Sequence, residues 1–310
     1  MADTVAITTS APGSLMLLGE HAVLAGHRAL VCAINRRITV RLSPNMDDCL
    51  RIVSSLGRYE SPLDGLVDHP SFRFVLQAIL QHRENIPSGF ELKIESEFSA
   101  DIGFGSSAAV TVATHAALLQ WLEGEEPNRD LLFSLALETV HAVQGRGSGA
   151  DLAASIFGGI VGYTTEPQFQ PVPVAVPLTA VYCGYKTPTP EVIEHVEQLR
   201  AADRGTYNRI YAQIDASVEE AVVCLRNHDF TGFGNILNAN QLLMDEMGVN
   251  TPELQAIVDA LQSHPDIFGA KISGSGMGDC AVGIGVAELE ALDYPVYHLK
   301  ITPAGCLYHE

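Results

Sequence analysis

IGFGSSAA, residues Ile102 to Ala109, is the segment from which the chain is best read outward. It follows an alternating apolar run, Phe90 to Glu95 (FELKIE), whose period of two predicts a strand. It precedes Ser107 to Leu122, rich in Ala, Val and Leu, which predicts a largely buried helix. A glycine-rich turn that opens a helix lets backbone N–H groups close around an anion, and the helix N-terminus adds about half a positive charge. The serines can cap the helix, and one hydroxyl can ligand a metal riding on phosphates. An ordinary N-cap with glycines serving a tight turn accounts for the same residues, so this loop alone leaves two readings open.

Composition narrows the choice. The chain of 310 residues has room for one large domain or two smaller ones around a sizeable core. Its 18 Lys+Arg against 37 Asp+Glu give a net charge of −19, which argues against nucleic acid or an anionic membrane as a partner. Any phosphate must then be held by backbone N–H groups, a few chosen cations and a divalent metal. No apolar window is long enough to span a bilayer, and MADTVAITTS does not read as a signal peptide. Cysteines 32, 49, 183, 224, 280 and 306 are scattered without a C-x-x-C, so a reduced, cytoplasmic location is expected, with neither a zinc site nor a disulfide framework.

Along the chain, residues 4–9 (TVAITT) predict a strand broken by Ala11-Pro12-Gly13. The next apolar run, SLMLLGEHAVLAGHRALVCAI, is interrupted by Gly19-Glu20-His21. Two ionisable groups there must be hydrogen-bonded or face a cavity, and a satisfied buried pair meets that need as well as a functional one. His27 adds no recognisable metal-ligand spacing. The runs at 38–42, 50–54 and 90–95 predict strands, and 72–81 has helical spacing, so the first half reads as α+β with an antiparallel or mixed sheet. A helix through Leu131, Leu135, Glu138 and Ala142 stops at Gly145, and the loop GRGSGAD (145–151) follows. Asp151 is either a helix N-cap or a carboxylate projected into a cleft. Prolines 167, 171, 173 and 177 mark a domain boundary, with a division into 1–168 and 169–310, or an inter-domain strand pair. Thr189-Pro190 and Thr251-Pro252 each predict a helix start, with further helices over 207–225 and 230–247. Strands are expected at 270–273, 274–285 and 295–301 around a glycine-rich turn.

Three glycine-rich loops, at 102–108, 145–151 and 274–278, suggest phosphate held by dipoles in an acidic protein. None is a G-x-x-x-x-G-K-[ST] loop. GFGSSA fits a dinucleotide-binding G-x-G-x-x-A, but about 100 residues into the chain, after apparently antiparallel strands, and it leaves two loops without a role.

SAPGSLMLLGEHAVLAG (10–26), IGFGSSAAVTVA (102–113) and KISGSGMGDCAVGIG (271–285) resemble, in order and spacing, the three motifs of the GHMP small-molecule kinases. The resemblance implies an α+β, two-domain architecture: a ribosomal-protein-like, ATP-binding N-terminal domain and a ferredoxin-like C-terminal domain. It implies ATP and Mg²⁺, with Gly103, Phe104, Gly105, Ser106, Ser107 and Ala108 at the ATP phosphates and Ser107 as metal ligand. Asp151 matches the family's catalytic aspartate. Ser14, Glu20, His21, Lys186, Gly274, Ser275 and Gly276 fall at the substrate. GEHAVL resembles the mevalonate-kinase form of the first motif, whereas HAVQGRGSGADLAASIFGG (141–159) and Asp279-Cys280 look like bacterial phosphomevalonate kinases. The implied small-molecule substrate is mevalonate, with 5-phosphomevalonate as the rival. A catalytically weak sensor of nucleotide or isoprenoid precursor is the reading from another class, and a homodimer is compatible with all three.

Two positions depart from the family pattern. Ser14 stands where mevalonate kinases carry a lysine, and Val140 stands where these kinases place a magnesium-binding glutamate. Glu138 lies about 160° away around a helix and is a poor substitute. Arg146, Lys186 and Lys271 are the candidate replacement cations, although each also reads as a solvated surface charge.

Overall fold

The computed structural model describes residues 6–289 and 292–309. Strand β1 (Ile7–Leu18) pairs antiparallel with β2 (Ala29–Pro44) at the centre of the first sheet. Thr4 and Val5 of the expected first strand lie outside the described residues. Ala11-Pro12-Gly13 does not break β1, a correction to the expectation. The register shifts between Pro12 and Ser14, and the bulge carries Gly13 beneath the carbonyl of Phe104, where a Cβ would come within 2.5 Å.

A hairpin follows, β3 (Cys49–Ser54) and β4 (Gly57–Pro62), then helix α1 (Arg73–His82) and β5 (Phe90–Ser96). Helices α2 (Ser106–Glu123), α3 (Arg129–Gln144) and α4 (Ala150–Phe157) come next. The anchor segment therefore does run from strand through glycine turn into helix. Strands β6 (Ile160–Thr164) and β7 (Gln168–Val172) add to the same sheet beside β2.

The second sheet is wholly antiparallel. It consists of β8 (Pro177–Tyr182), β9 (Ile267–Ser273), β10 (Cys280–Gly285) and β11 (Val296–Lys300), in the order β11-β8-β10-β9. Between β8 and β9 run α5 (Thr189–Ala202), α6 (Arg204–Arg226), α7 (Phe230–Met247) and α8 (Pro252–Ser263). The last strand, β12 (Leu307–His309), returns to pair with β1. The two sheets thus do not divide the chain at 168/169. Backbone pairing of β6 with β7 holds residues up to Val172 in the first sheet, and β12 brings the C-terminal residues back to it.

Side-chain alternation explains the layering. On β1 and β2, Met16, Val31 and Ala33 turn toward the helices of the first lobe. Leu15, Leu17, Cys32 and Ile34 turn the other way, into a core shared with Leu178, Val218, Leu237 and Val282 of the second lobe. A strand pair covered on both faces reads as a continuous apolar run, which is why Glu20 and His21 stood out in it. Helix α2 is buried along most of its length, and its alanines allow close approach to β1. All six cysteines are free, and no described helix is long and apolar enough to cross a membrane.

Candidate active site

The three glycine-rich loops meet at one cleft of about 1080 Å³, open to solvent, between the two lobes. The first loop is shaped by close approaches that only glycine permits. Gly105 has φ +65°, and a Cβ there would sit 2.0 Å from the Ser14 hydroxyl oxygen. A Cβ on Gly103 would sit 2.0 Å from a carboxylate oxygen of Asp279. Helix α2 then begins at Ser106, so its unpaired N–H groups and Ser106, Ser107 and Ala108 border the cleft. Phe104 departs from expectation: its side chain is fully buried against Tyr297, and its carbonyl accepts from the Ser14 N–H at 3.0 Å. It shapes the loop from behind.

Asp151 is not an N-cap. Gly149, with φ +84°, caps α4, and Asp151 occupies the first turn with its side chain on the cleft. The turn is held by Tyr163, whose hydroxyl donates to the Ser148 carbonyl at 2.5 Å, and by His141 on the Gly147 carbonyl at 3.0 Å. The hydroxyl of Ser14 donates to Asp151 Oδ1 at 2.7 Å. Ser14 itself is buried behind the loop and does not line the cleft. The Asp151 carboxylate reaches solvent through the cleft mouth and is ringed by protein elsewhere. That desolvation pushes its pKa up, while the Ser14 hydrogen bond and the charge of Lys186 pull it back.

Glu20 and His21 both line the cleft. Glu20 is buried in an ion pair with Lys271, whose ammonium also donates to the Ile272 carbonyl, and Glu20 Oε2 is left without a protein partner. His21, at φ +57°, bonds through Nε2 to the Ser275 carbonyl at 2.8 Å and so ties the first motif to the third. Burial lowers its pKa, favouring the neutral ring. Nε2 then carries the proton toward the carbonyl and Nδ1 is an acceptor.

In the third loop Gly274 and Ser275 line the cleft, whereas Gly276 turns away and packs on Val249. Lys186 lines the cleft and pairs with Asp279, Nζ to Oδ2 3.2 Å. Arg146 pairs with Glu197 and lies off the cleft, as does Lys271, which is fully buried with Glu20. Asp279 escaped the sequence reading as a site residue. Its signal was a carboxylate directly after a glycine loop, but its positive φ of 76° and its place against Gly103 are tertiary facts.

Val140 does project into the cleft, so the position expected for a magnesium-binding glutamate is in place but apolar, and Glu138 is exposed and off the cleft. Of the side-chain oxygens on the cleft, those of Ser107, Asp151 and Asp279 lie beside the first glycine-rich loop, and Asp279 Oδ1 is buried without a partner. No cluster of three or more His, Cys, Asp or Glu occurs among the described residues. This sparse oxygen set fits Mg²⁺, which keeps several waters and binds through one or two carboxylates plus substrate phosphates.

A glycine-rich turn at a helix N-terminus facing a carboxylate is the arrangement phosphoryl transfer calls for, and the chain belongs to the GHMP kinases. Residues 72–159 match the GHMP kinases N terminal domain and residues 221–292 the GHMP kinases C terminal domain. Members use ATP, and the acceptor is an alcohol. Within the family, the chain is 37% identical over 278 residues to the mevalonate kinase of Archaeoglobus fulgidus, covering 89% of this chain and 91% of that protein. It is 29% identical to the mevalonate kinase of Aeropyrum pernix, covering 90% and 88%. The fold matches the crystal structure of L. major mevalonate kinase in complex with R-mevalonate with a TM-score of 0.78 at 22% identity, covering 96% of each chain. Residues 2–44 also match a galactokinase galactose-binding signature.

Proposed function

We propose that the chain transfers the γ-phosphoryl group of ATP to the 5-hydroxyl of (R)-mevalonate. The observation that carries this reading is Asp151: a carboxylate on the first turn of α4, oriented by Ser14, facing the same cleft as the phosphate loop. In the step itself, the substrate hydroxyl gives its proton to Asp151 as its oxygen bonds to the γ-phosphorus. The bond from that phosphorus to the β,γ-bridging oxygen breaks, and ADP leaves. The N–H groups at the start of α2 hold the phosphates, and Glu20 and the Nδ1 of His21 face the acceptor. Ser107, with Asp151 and Asp279 nearby, would hold the Mg²⁺, which supplies charge neutralisation when bound. Mevalonate as acceptor is supported by the relative at 37% identity and by the Glu20-His21 pair at the cleft. The galactokinase signature makes a sugar acceptor the second reading.

ADP release is measured on mixing protein and Mg-ATP with (R)-mevalonate, 5-phosphomevalonate, galactose or homoserine. Turnover of mevalonate that is lowered at least ~10²-fold in Asp151→Asn, with ATP affinity nearly intact, is the expected result. Turnover only with another acceptor refutes the substrate assignment. ATP binding without turnover of any acceptor points to a sensor. Equal loss of affinity and turnover in Asp151→Asn refutes the role given to Asp151.

A further inference from the structure

We propose that Lys186, carried into the cleft by the second lobe and held there by Asp279, supplies the positive charge beside Asp151 that the first motif leaves to the uncharged Ser14. The inference deepens the kinase reading and rests on it. Ser14 does meet Asp151, but with a hydroxyl hydrogen bond and no charge. A transferring phosphoryl group and a nucleophile losing its proton both gain from a fixed cation close by. Among the described residues Lys186 is the only Lys or Arg that lines the cleft. The two other candidates are committed elsewhere, Arg146 to Glu197 on the surface and Lys271 to Glu20 in the interior.

Lys186 is also held in place. Its segment is stitched to the third loop by main-chain bonds, Asp279 N–H to the Tyr185 carbonyl at 2.8 Å and Cys183 N–H to the Asp279 carbonyl at 2.9 Å. The hydroxyl of Thr187 donates to the Met277 carbonyl. Asp279 then presents one carboxylate oxygen to the Lys186 ammonium at 3.2 Å, while its other oxygen lies against Gly103 of the phosphate loop. The ammonium therefore stands beside the loop that binds the phosphates and lines the same cleft as Asp151. Lys186 transfers no proton. Asp279 acts through it as a positioning residue.

The test compares wild type, Lys186→Met, Lys186→Arg, Asp279→Asn and the double variant Lys186→Met/Ser14→Lys. kcat and KM are measured by ADP release, ATP affinity by calorimetry, and folding by circular dichroism. In Lys186→Met, kcat should fall ~10²-fold or more with ATP affinity changed by less than ~10-fold, a loss typical of removing one preorganised electrostatic group. Lys186→Arg keeps the charge and should keep kcat within ~10-fold of wild type. Adding Ser14→Lys to Lys186→Met should recover at least ~10-fold of kcat. Asp279→Asn should lower kcat with little change in KM.

A folded Lys186→Met with kcat within ~3-fold of wild type overturns the proposal. So does a loss of ATP affinity that accounts for the whole effect. If wild type turns over an acceptor other than mevalonate, only the substrate assignment fails, and the same comparison with that acceptor decides the role of Lys186.

Discussion

Lys271→Met offers a direct test of how the two lobes are joined. Lys271, on β9 of the second sheet, and Glu20, just after β1 of the first, form a buried ion pair with side-chain exposures of 0% and 1%. Methionine fills much of the lysine's volume, so the change removes a charge and opens little cavity. It leaves the Glu20 carboxylate buried, with Oε2 already lacking a partner. Breaking such a pair from one side typically costs about 3–5 kcal/mol.

Urea unfolding followed by far-UV circular dichroism at pH 7 should therefore show Lys271→Met less stable by about 3–5 kcal/mol at an unchanged m-value. Glu20→Leu/Lys271→Met should return to within ~1 kcal/mol of wild type, because two apolar side chains replace the pair. It should stay catalytically impaired, since Glu20 lines the cleft. A single variant that loses less than ~1 kcal/mol, or a double variant no better than the single, refutes the reasoning.

Three further outcomes are expected. Ser14→Ala removes a hydrogen bond that favours the ionised carboxylate, so the Asp151 pKa rises. A base works only above its pKa, so the acidic limb of kcat/KM should move up in pH, and an unmoved limb contradicts the role of Ser14. Gly105→Ala places a Cβ against the Ser14 hydroxyl at a left-handed φ of +65°. Thermal stability should drop by about 1–2 kcal/mol and ATP should bind at least ~10-fold more weakly, read by thermal denaturation and calorimetry.

Finally, His115 is buried in α2 between His82 and Thr139, and burial lowers its pKa to about 3. The unfolded chain takes up a proton below pH ~6.5 that the fold refuses. Stability is therefore full above that pH and falls as the pH drops toward 3, by up to ~1.4 kcal/mol per unit. Urea midpoints at pH 7.5, 6 and 5 should show a shallower decline in His115→Gln than in wild type.

Much of this molecule was legible because its signals are local. Helix α7 spans Phe230–Met247 as expected, and Thr251-Pro252 opens α8 with cap and proline in order. Thr189-Pro190 opens α5 one residue earlier than its cap signal implied, with Pro188 at the cap position. Strand β12 was missed because three residues at an edge carry no usable period of two. The three motifs also announced the cleft, since glycine turns are recognisable wherever backbone must approach closely.

Sequence alone was enough for the α+β class, for most helices and for the glycine-rich turn that opens α2. Each follows from spacing within a short window, where periodicity and turn chemistry act. Tertiary structure decided which side chains meet. Ser14 reaches Asp151 across 137 residues and Lys271 reaches Glu20 across 251. Packing alone turns Phe104 and Gly276 away from the cleft and brings Lys186 into it. Charges scattered along a chain carry no record of their partners, because electrostatic energy depends on distances in space that only the folded layers establish.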